Sequence, residues 1–342
     1  MSNITDTLIA SVTNYCSIIG KDPLLVQGAG GNVSWKEGNT LWIKASGTWL
    51  AEAAEKDIFV PLDLLHLRAA IENGDFSVIP KVIGASELRP SIETLLHALM
   101  PHRIVVHLHA IEVLAYLVRN NCQSDFQSLL DDAISWVLVV YKKPGAELAE
   151  AVNFAMQTRK NIDVVFLQNH GVVIGGDNIE QIDYLLKIMS VALCASPRNF
   201  CENIPPSDPL SIDGQVLYYP ITDQAVHQLA MNKDLFSHLK SDWALYPDHV
   251  VFLGAQPCTY SHINILINAL RDDKEIPELI FVQNLGVFTV SNFSMAKQVQ
   301  LRCYLDVMVR QHKRNMIKCL TSLQINELLN WDAEQYRMGV SK

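Results

Sequence analysis

Residues 90–110, PSIETLLHALMPHRIVVHLHA, decide how the rest of the chain is read. The spacing predicts a short helix, a break at Pro101, and an apolar strand that ends in His107-Leu108-His109. A strand alternates its side chains with period 2, so His107 and His109 share a face with Cα atoms about 6.6 Å apart. That suits two imidazoles meeting one metal ion. Glu93 is placed on the preceding helix, with Ser91 as its N-cap. His97, four residues on, shares that helix face and is placed to orient the Glu93 carboxylate. A third imidazole comes from FLQNHGVVIGG, residues 166–176, where His170 closes another apolar strand ahead of a glycine turn.

Composition narrows the class. At 342 residues the chain is long for one domain and comfortable for two. Hydrophobic residues at 49% supply a sizeable core, and 18% charged residues argue against disorder. A net charge of −9 without a Lys/Arg stripe excludes a general nucleic-acid binder. The seven cysteines have no CxxC and no regular spacing, which reads as reduced thiols. With neither a signal-peptide pattern nor a membrane-length apolar run, a cytoplasmic protein without membrane contact is expected.

Upstream, residues 4–20 have helical spacing that ends at Gly20. The segment LLVQGAGGNVSW, residues 24–35, has too strand-like a continuation for a dinucleotide loop, which must open a helix. Its glycines are read as an anion-binding nest, with Asn32 and Ser46-Gly47 as polar lining. Strands are expected at 32–35 and 41–44, and a helix over 60–75 with Asp63 near its N-cap. Downstream, helices are expected at 110–121, 126–136, from 146, and at 179–193, with strands at 137–140 and 163–167. Residues 203–214, NIPPSDPLSIDG, form the best boundary. They separate a catalytic region, 1–205, from an α/β region, 212–342, with helices over 222–240, 260–270 and 294–320 and strands at 250–253 and 279–282.

The second region echoes the first. VVFLQNHGVVIGGDN (164–178) and LIFVQNLGVFTVSNF (279–293) match without a gap, with Leu285 where His170 stands. MPHRIVVHLHA (100–110) is echoed more weakly by YPDHVVFLGAQ (246–256), which puts Leu253 and Ala255 at the two histidines. The expectation is a diverged copy that has lost every metal ligand.

Three histidines without cysteine form an open set, with a fourth position for water or substrate. Two chemistries stay open: activation of a water for hydrolysis, or polarisation of a carbonyl while a carboxylate moves a proton at the next carbon. Zinc suits the set, and manganese, iron or cobalt are also accommodated.

GNVS (31–34), the Ser46-Gly47 turn, PSIETLLH (90–97), HLH (107–109) and NHG (169–171) occur in the order and approximate spacing of the class II aldolase/adducin family, over roughly residues 5–200. KASGTWL and PSIETLLHALMPH most resemble the aldolase part of bifunctional rhamnulose-1-phosphate aldolase/dehydrogenase chains. The resemblance implies an α/β fold, an αβα sandwich around a mostly antiparallel sheet. It implies a homo-oligomer, a tetramer with sites near subunit boundaries. It makes His107, His109 and His170 ligands of Zn2+, Glu93 the acid/base, and Asn32, Ser46, Gly47 and Ser91 contacts of a substrate phosphate. The implied activity is a carbon–carbon lyase, a metal-dependent aldolase. It would cleave a ketose 1-phosphate or related hydroxy-ketone, a sugar phosphate, to dihydroxyacetone phosphate and an aldehyde through an enediolate that the metal stabilises. Epimerase or decarboxylase chemistry on the same site, and a non-catalytic adducin-like binding protein, are the alternatives. The chain departs from the phosphosugar pattern at Ile92, where a second serine is common. A proton-donating tyrosine has only Tyr141 as a candidate.

Overall fold

In a computed structural model, residues 2–130, 133–198, 208–212, 214–272, 276–312 and 316–340 are described. The first half runs α1 (Ser2–Gly20), β1 (Asn32–Glu37), β2 (Thr40–Lys44), β3 (Phe59–Asp63), α2 (Leu64–Glu72), α3 (Thr94–Leu99), β4 (Ile104–Leu108), α4 (Ile111–Leu117), α5 (Cys122–Leu130), β5 (Trp136–Val139), α6 (Ala146–Thr158), β6 (Val164–Leu167), β7 (Gly171–Gly176) and α7 (Ile179–Ala192). The second runs β8 (Leu210–Ile212), β9 (Gln215–Pro220), α8 (Gln228–Met231), α9 (Lys233–Ser241), α10 (Pro247–Leu253), β10 (Cys258–Tyr260), α11 (Ile263–Asp272), β11 (Leu279–Val282), β12 (Gly286–Thr289), α12 (Met295–Met308), α13 (Ser322–Leu329) and α14 (Asp332–Val340). No helix among the described residues is long and apolar enough to cross a membrane.

The first sheet has the order β3-β2-β1-β4-β7-β6-β5 and is antiparallel except for β5 and β6. Its central strands β4, β6 and β7 are buried on both faces, and the alternation sorts their side chains into two cores. Ile104, Val106, Leu108, Phe166, Val172 and Ile174 join the large core that holds residues of α1, α4, α5 and α7. Val105, Val165, Leu167 and Val173 join the opposite core under α3 and α6. This is an αβα sandwich. Side-chain caps set several helix starts: Asp63 accepts from His66 N at 3.0 Å, and Asn178 from Gln181 N at 2.9 Å.

The second sheet, β10-β11-β12-β9-β8, repeats the order and polarity of five strands of the first, β5-β6-β7-β4-β1. β10 and β11 are parallel, as β5 and β6 are, and every other pair is antiparallel. The β6–β7 and β11–β12 turns agree in backbone detail. Asn169 and Asn284 sit in the left-handed region at φ 55° and 60°. His170 N donates to Leu167 O, and Leu285 N to Val282 O, both at 3.0 Å. Asn169 N bonds Leu117 O at the end of α4, and Asn284 N bonds Ala230 O in α8. The two halves share one continuous hydrophobic core, with α12 packed on α4.

Several expectations are corrected. Residues 250–253 are not a strand but part of α10, a short helix with Pro247 in its first turn and nearly every side chain buried. An apolar run of this length has no period that separates helix from strand; Pro247 and Asp248 are the start signal that decides it. The weaker echo therefore fails. β12 pairs with β9, Phe288 opposite Pro220, as β7 pairs with β4, Val173 opposite His107. The register places Pro220 and Thr222, not Leu253 and Ala255, at the histidine positions. The 222–240 helix is broken at Asn232, whose side chain caps α9. The long 294–320 helix stops at Met308. β3, β7, β8, β9, β10 and β12 were not expected. Of the boundary at 203–214, residues 203–207 and 213 lie outside the described residues, as do 131 and 132 of the helix expected over 126–136.

Candidate metal centre

His107 is the penultimate residue of β4, paired with Asn32 on one side and Val173 on the other. His109 lies one residue past the strand, and His170 arrives from the β6–β7 turn. One ligand nitrogen from each of the three buried rings lies within 4.8 Å of the others. His107 Nε2 is 3.1 Å from His109 Nε2 and 3.5 Å from Glu93 Oε2, and His170 Nε2 is 3.4 Å from Glu93 Oε1.

The outer nitrogens of His107 and His109 fix the tautomers of those two rings. His107 Nδ1 donates to Val172 O at 3.1 Å, and His109 Nδ1 lies 3.3 Å from Asp248 Oδ2. Both partners are acceptors, so both Nδ1 atoms carry the proton and both Nε2 atoms present lone pairs. Burial lowers the pKa of His107, and that of His170 to about 3, with Glu93 opposing in each case. The result is that the His107 and His109 lone pairs face each other, and that of His107 also faces the buried Glu93 carboxylate. A divalent cation between them removes the conflict. Two bonds of 2.0–2.1 Å at a tetrahedral angle separate their nitrogens by about 3.4 Å, close to the 3.1 Å between His107 and His109. The three histidines could thus hold a metal ion.

Glycines make the approach possible. A Cβ at Gly171 would stand 2.4 Å from Leu108 O, 2.9 Å from His109 Cδ2 and 3.0 Å from His107 Cε1. A Cβ at Gly31 would stand 2.8 Å from His107 O, and one at Gly30 3.0 Å from both His109 Nδ1 and Asp248 Oδ2. Of the glycines in the 24–35 segment, read as an anion nest, Gly30 and Gly31 pack against the histidine segment, and Gly28 faces Trp49 and Val299.

Glu93 is the N-cap of α3 rather than a residue within it. Ser91, expected as that cap, accepts from Glu93 N at 3.2 Å one turn earlier. The Asn32 amide donates to Glu93 Oε2 at 2.7 Å. Burial raises the Glu93 pKa, but His107, His170 and His109 outweigh it and bring it down to about 2. His97 does not reach Glu93: its Nδ1 bonds the Ser34 hydroxyl at 2.8 Å.

Asn32, Ser46, Gly47, Ser91, Ile92, Glu93, His109 and His170 line one cavity. It holds only about 20 Å³, room for roughly one water. The reason is α14, whose Val340 packs on Gly47 and whose Glu334 and Arg337 close the wall. Arg337 pairs with Asp248 and, at 3.1 Å, with Glu334. Lys44 also lines the cavity; burial, with Arg337 adding to it, lowers its pKa to about 7. Lys44, Asp248, Glu334 and Arg337 were not singled out from sequence. Only Asp248 carried a local signal, beside Pro247 at a helix start. Tyr141 is buried with no hydrogen-bond partner for its hydroxyl among the described residues, and it does not line the cavity.

The fold and this cluster define an αβα domain whose buried histidines could hold a metal ion. Residues 11–193 match the family described as Class II Aldolase and Adducin N-terminal domain, and the chain belongs to that family. A curated relative, the uncharacterized oxidoreductase YuxG of Bacillus subtilis, is 27% identical over 180 residues, 48% of this chain. The match spans 26% of that relative's length. Among solved structures, the N-terminal class II aldolase domain of a conserved Thermoplasma acidophilum protein is 28% identical, covering 54% of this chain and 91% of its own (TM-score 0.45). A sugar-phosphate aldolase from Thermotoga maritima is 17% identical, covering 56% and 95% (TM-score 0.43).

Proposed function

We propose that the chain is a metal-dependent aldolase that cleaves a ketose 1-phosphate, or a related hydroxy-ketone, to dihydroxyacetone phosphate and an aldehyde. The observation that carries this reading is the buried group of three imidazoles beside the Glu93 carboxylate, with His109, His170 and Glu93 lining one polar cavity. His107, His109 and His170 would hold the ion. When bound it draws electron density from a carbonyl oxygen, which stabilises negative charge beside the bond that breaks. Glu93, ionised and oriented by Asn32, carries a proton to and from the carbon next to that carbonyl. Asn32, Ser46, Gly47 and Ser91 are assigned to the substrate phosphate, which lacks a donor at Ile92. Entry of a phosphosugar requires α14 to withdraw from the Ser46-Gly47 turn. A homo-oligomer belongs to the same reading, and sedimentation would measure its size.

The test is a panel of ketose 1-phosphates with assay of dihydroxyacetone phosphate, together with deuterium exchange into dihydroxyacetone phosphate in D2O. Exchange is expected with the native chain and not with Glu93→Gln. No release and no exchange, with metal confirmed bound, would overturn the reading. The closed cavity favours one second reading, a non-catalytic adducin-like domain with a structural ion, which that outcome would support. An epimerase or decarboxylase would instead keep the carbon count or release carbon dioxide.

We also infer two units, residues 1–205 carrying the site and residues 212–342 a diverged copy without ligands. The repeated strand order supports this, with Pro220, Thr222 and Leu285 at the three ligand positions. One ion per chain is the expected stoichiometry.

A further inference from the structure

We propose that Asp248, on α10 of the second half, is a positioning residue that sets the orientation and tautomer of His109 for metal binding. The proposal rests on the metal reading above. The three ligand rings are held differently. The outer nitrogen of His107 is fixed by a backbone carbonyl, Val172 O. That of His170 has no hydrogen-bond partner among the described residues. His109 lies beyond the end of β4, where no ladder bond fixes it, and its outer nitrogen faces Asp248 Oδ2 at 3.3 Å.

Asp248 is itself held from two sides. Arg337 pairs with its Oδ1, and Gln300 Nε2 donates to its Oδ2 at 3.3 Å. Gln300 also reaches Gln27 O at 3.4 Å, and Gln27 Nε2 reaches His109 O at 3.4 Å. The chain of contacts therefore starts and ends on His109. Room for it is built in, because a Cβ at Gly30 would meet both His109 Nδ1 and Asp248 Oδ2. Asp248 is 2% exposed, so its carboxylate has no role toward solvent. A carboxylate on the far nitrogen of a ligand imidazole raises its basicity and fixes its ring, and loss of such a partner typically weakens metal binding 10–100-fold.

The experiment titrates zinc alone into the metal-free full chain against a chromophoric chelator. The variants are Asp248→Ala, Asp248→Asn, His109→Ala and the double variant Asp248→Ala/His109→Ala, each checked for a cooperative urea transition. Asp248→Ala is expected to weaken zinc binding by about 10–100-fold. Asp248→Asn, whose amide oxygen still accepts from Nδ1, is expected to fall between it and the native chain. In the His109→Ala background the Asp248 change should alter affinity less than about threefold, because the partner it positions is gone. Native affinity in Asp248→Ala, or an equal loss with and without His109, would overturn the proposal. If Asp248→Ala does not fold, native affinity in Asp248→Asn together with an equal effect of that change in the His109→Ala background does the same. Failure of the native chain to bind zinc at all would overturn the metal reading first, and this proposal with it.

Discussion

Gly171→Ala tests how closely the ligand cluster is packed. The added Cβ would lie 2.4 Å from Leu108 O, where ordinary contact begins near 3.4 Å. β4 and β7 would have to separate by about 1 Å, enough to stretch a ladder hydrogen bond past its useful length. Overpacking of this kind costs about 1–3 kcal/mol, and a weakened ladder bond about 1 kcal/mol more. The same Cβ would sit 2.9 Å from His109 Cδ2 and 3.0 Å from His107 Cε1. Relieving those contacts moves both rings by roughly 0.4 Å, beyond the ~0.2 Å tolerance of ligand distances. A urea midpoint lowered by about 2–4 kcal/mol in stability and a zinc affinity down at least about tenfold are expected. Gly175→Ala is the control on the same strand. Its Cβ would strike the His102 ring, which pairs with Asp163 away from the cluster. It should lower stability and leave zinc affinity within about threefold of native. Native zinc affinity in Gly171→Ala, or an equal loss in Gly175→Ala, would refute the packing argument.

Other outcomes follow from the same structure. His170→Ala leaves two ligands, so the rise in melting temperature that zinc gives the native chain should shrink severely at the same zinc concentration, along with any lyase activity; calorimetry with and without zinc reads it. Leu285→Ala should leave zinc content unchanged. Because Leu285 is half-buried at the edge of the second sheet's small core, urea unfolding should show a loss of about 1–2 kcal/mol, below that of a fully buried leucine. Lys36 donates to the carbonyls of Met100 and His102, and burial, with Arg68 adding to it, lowers its pKa to about 7. Above that value the folded chain has released a proton that the unfolded chain keeps up to about pH 10, so stability rises with pH across that window. Lys36→Met should flatten the rise in urea midpoints between pH 7 and 9.5, and an unchanged slope would contradict the assignment.

The three histidines and Glu93 were legible in the sequence because strand period and turn position bring residue pairs together locally. His107 and His109 need only β4 to exist, and His170 only the turn ahead of Gly171. The partners of those groups were not legible. His97 shares a helix register with Glu93, yet Glu93 turned out to be the cap, and His97 found Ser34 across the sheet instead. Asp248 and Arg337 reach the cluster through packing between halves, which no local period encodes. The segment 247–253 shows the limit most plainly, since a wholly buried apolar run carries no alternation. Its proline and aspartate were the readable part, and the apparent echo of 100–110 outweighed them. The stronger echo at 279–293 held up in backbone detail because a left-handed asparagine and the glycine that follows it constrain a turn more tightly than apolar residues constrain a strand.

Asn169 precedes His170 in the β6–β7 turn, and its amide donates to Leu245 O at 2.8 Å and Lys318 O at 2.6 Å, both in the second half. Asp248 reaches His109 from that half as well. A contact between separate molecules weakens as they are diluted. One carried on the same polypeptide is held at a fixed local concentration, of the order of millimolar or higher whatever the protein level. The surroundings of this cluster therefore stay assembled at concentrations where loosely associated subunits would part.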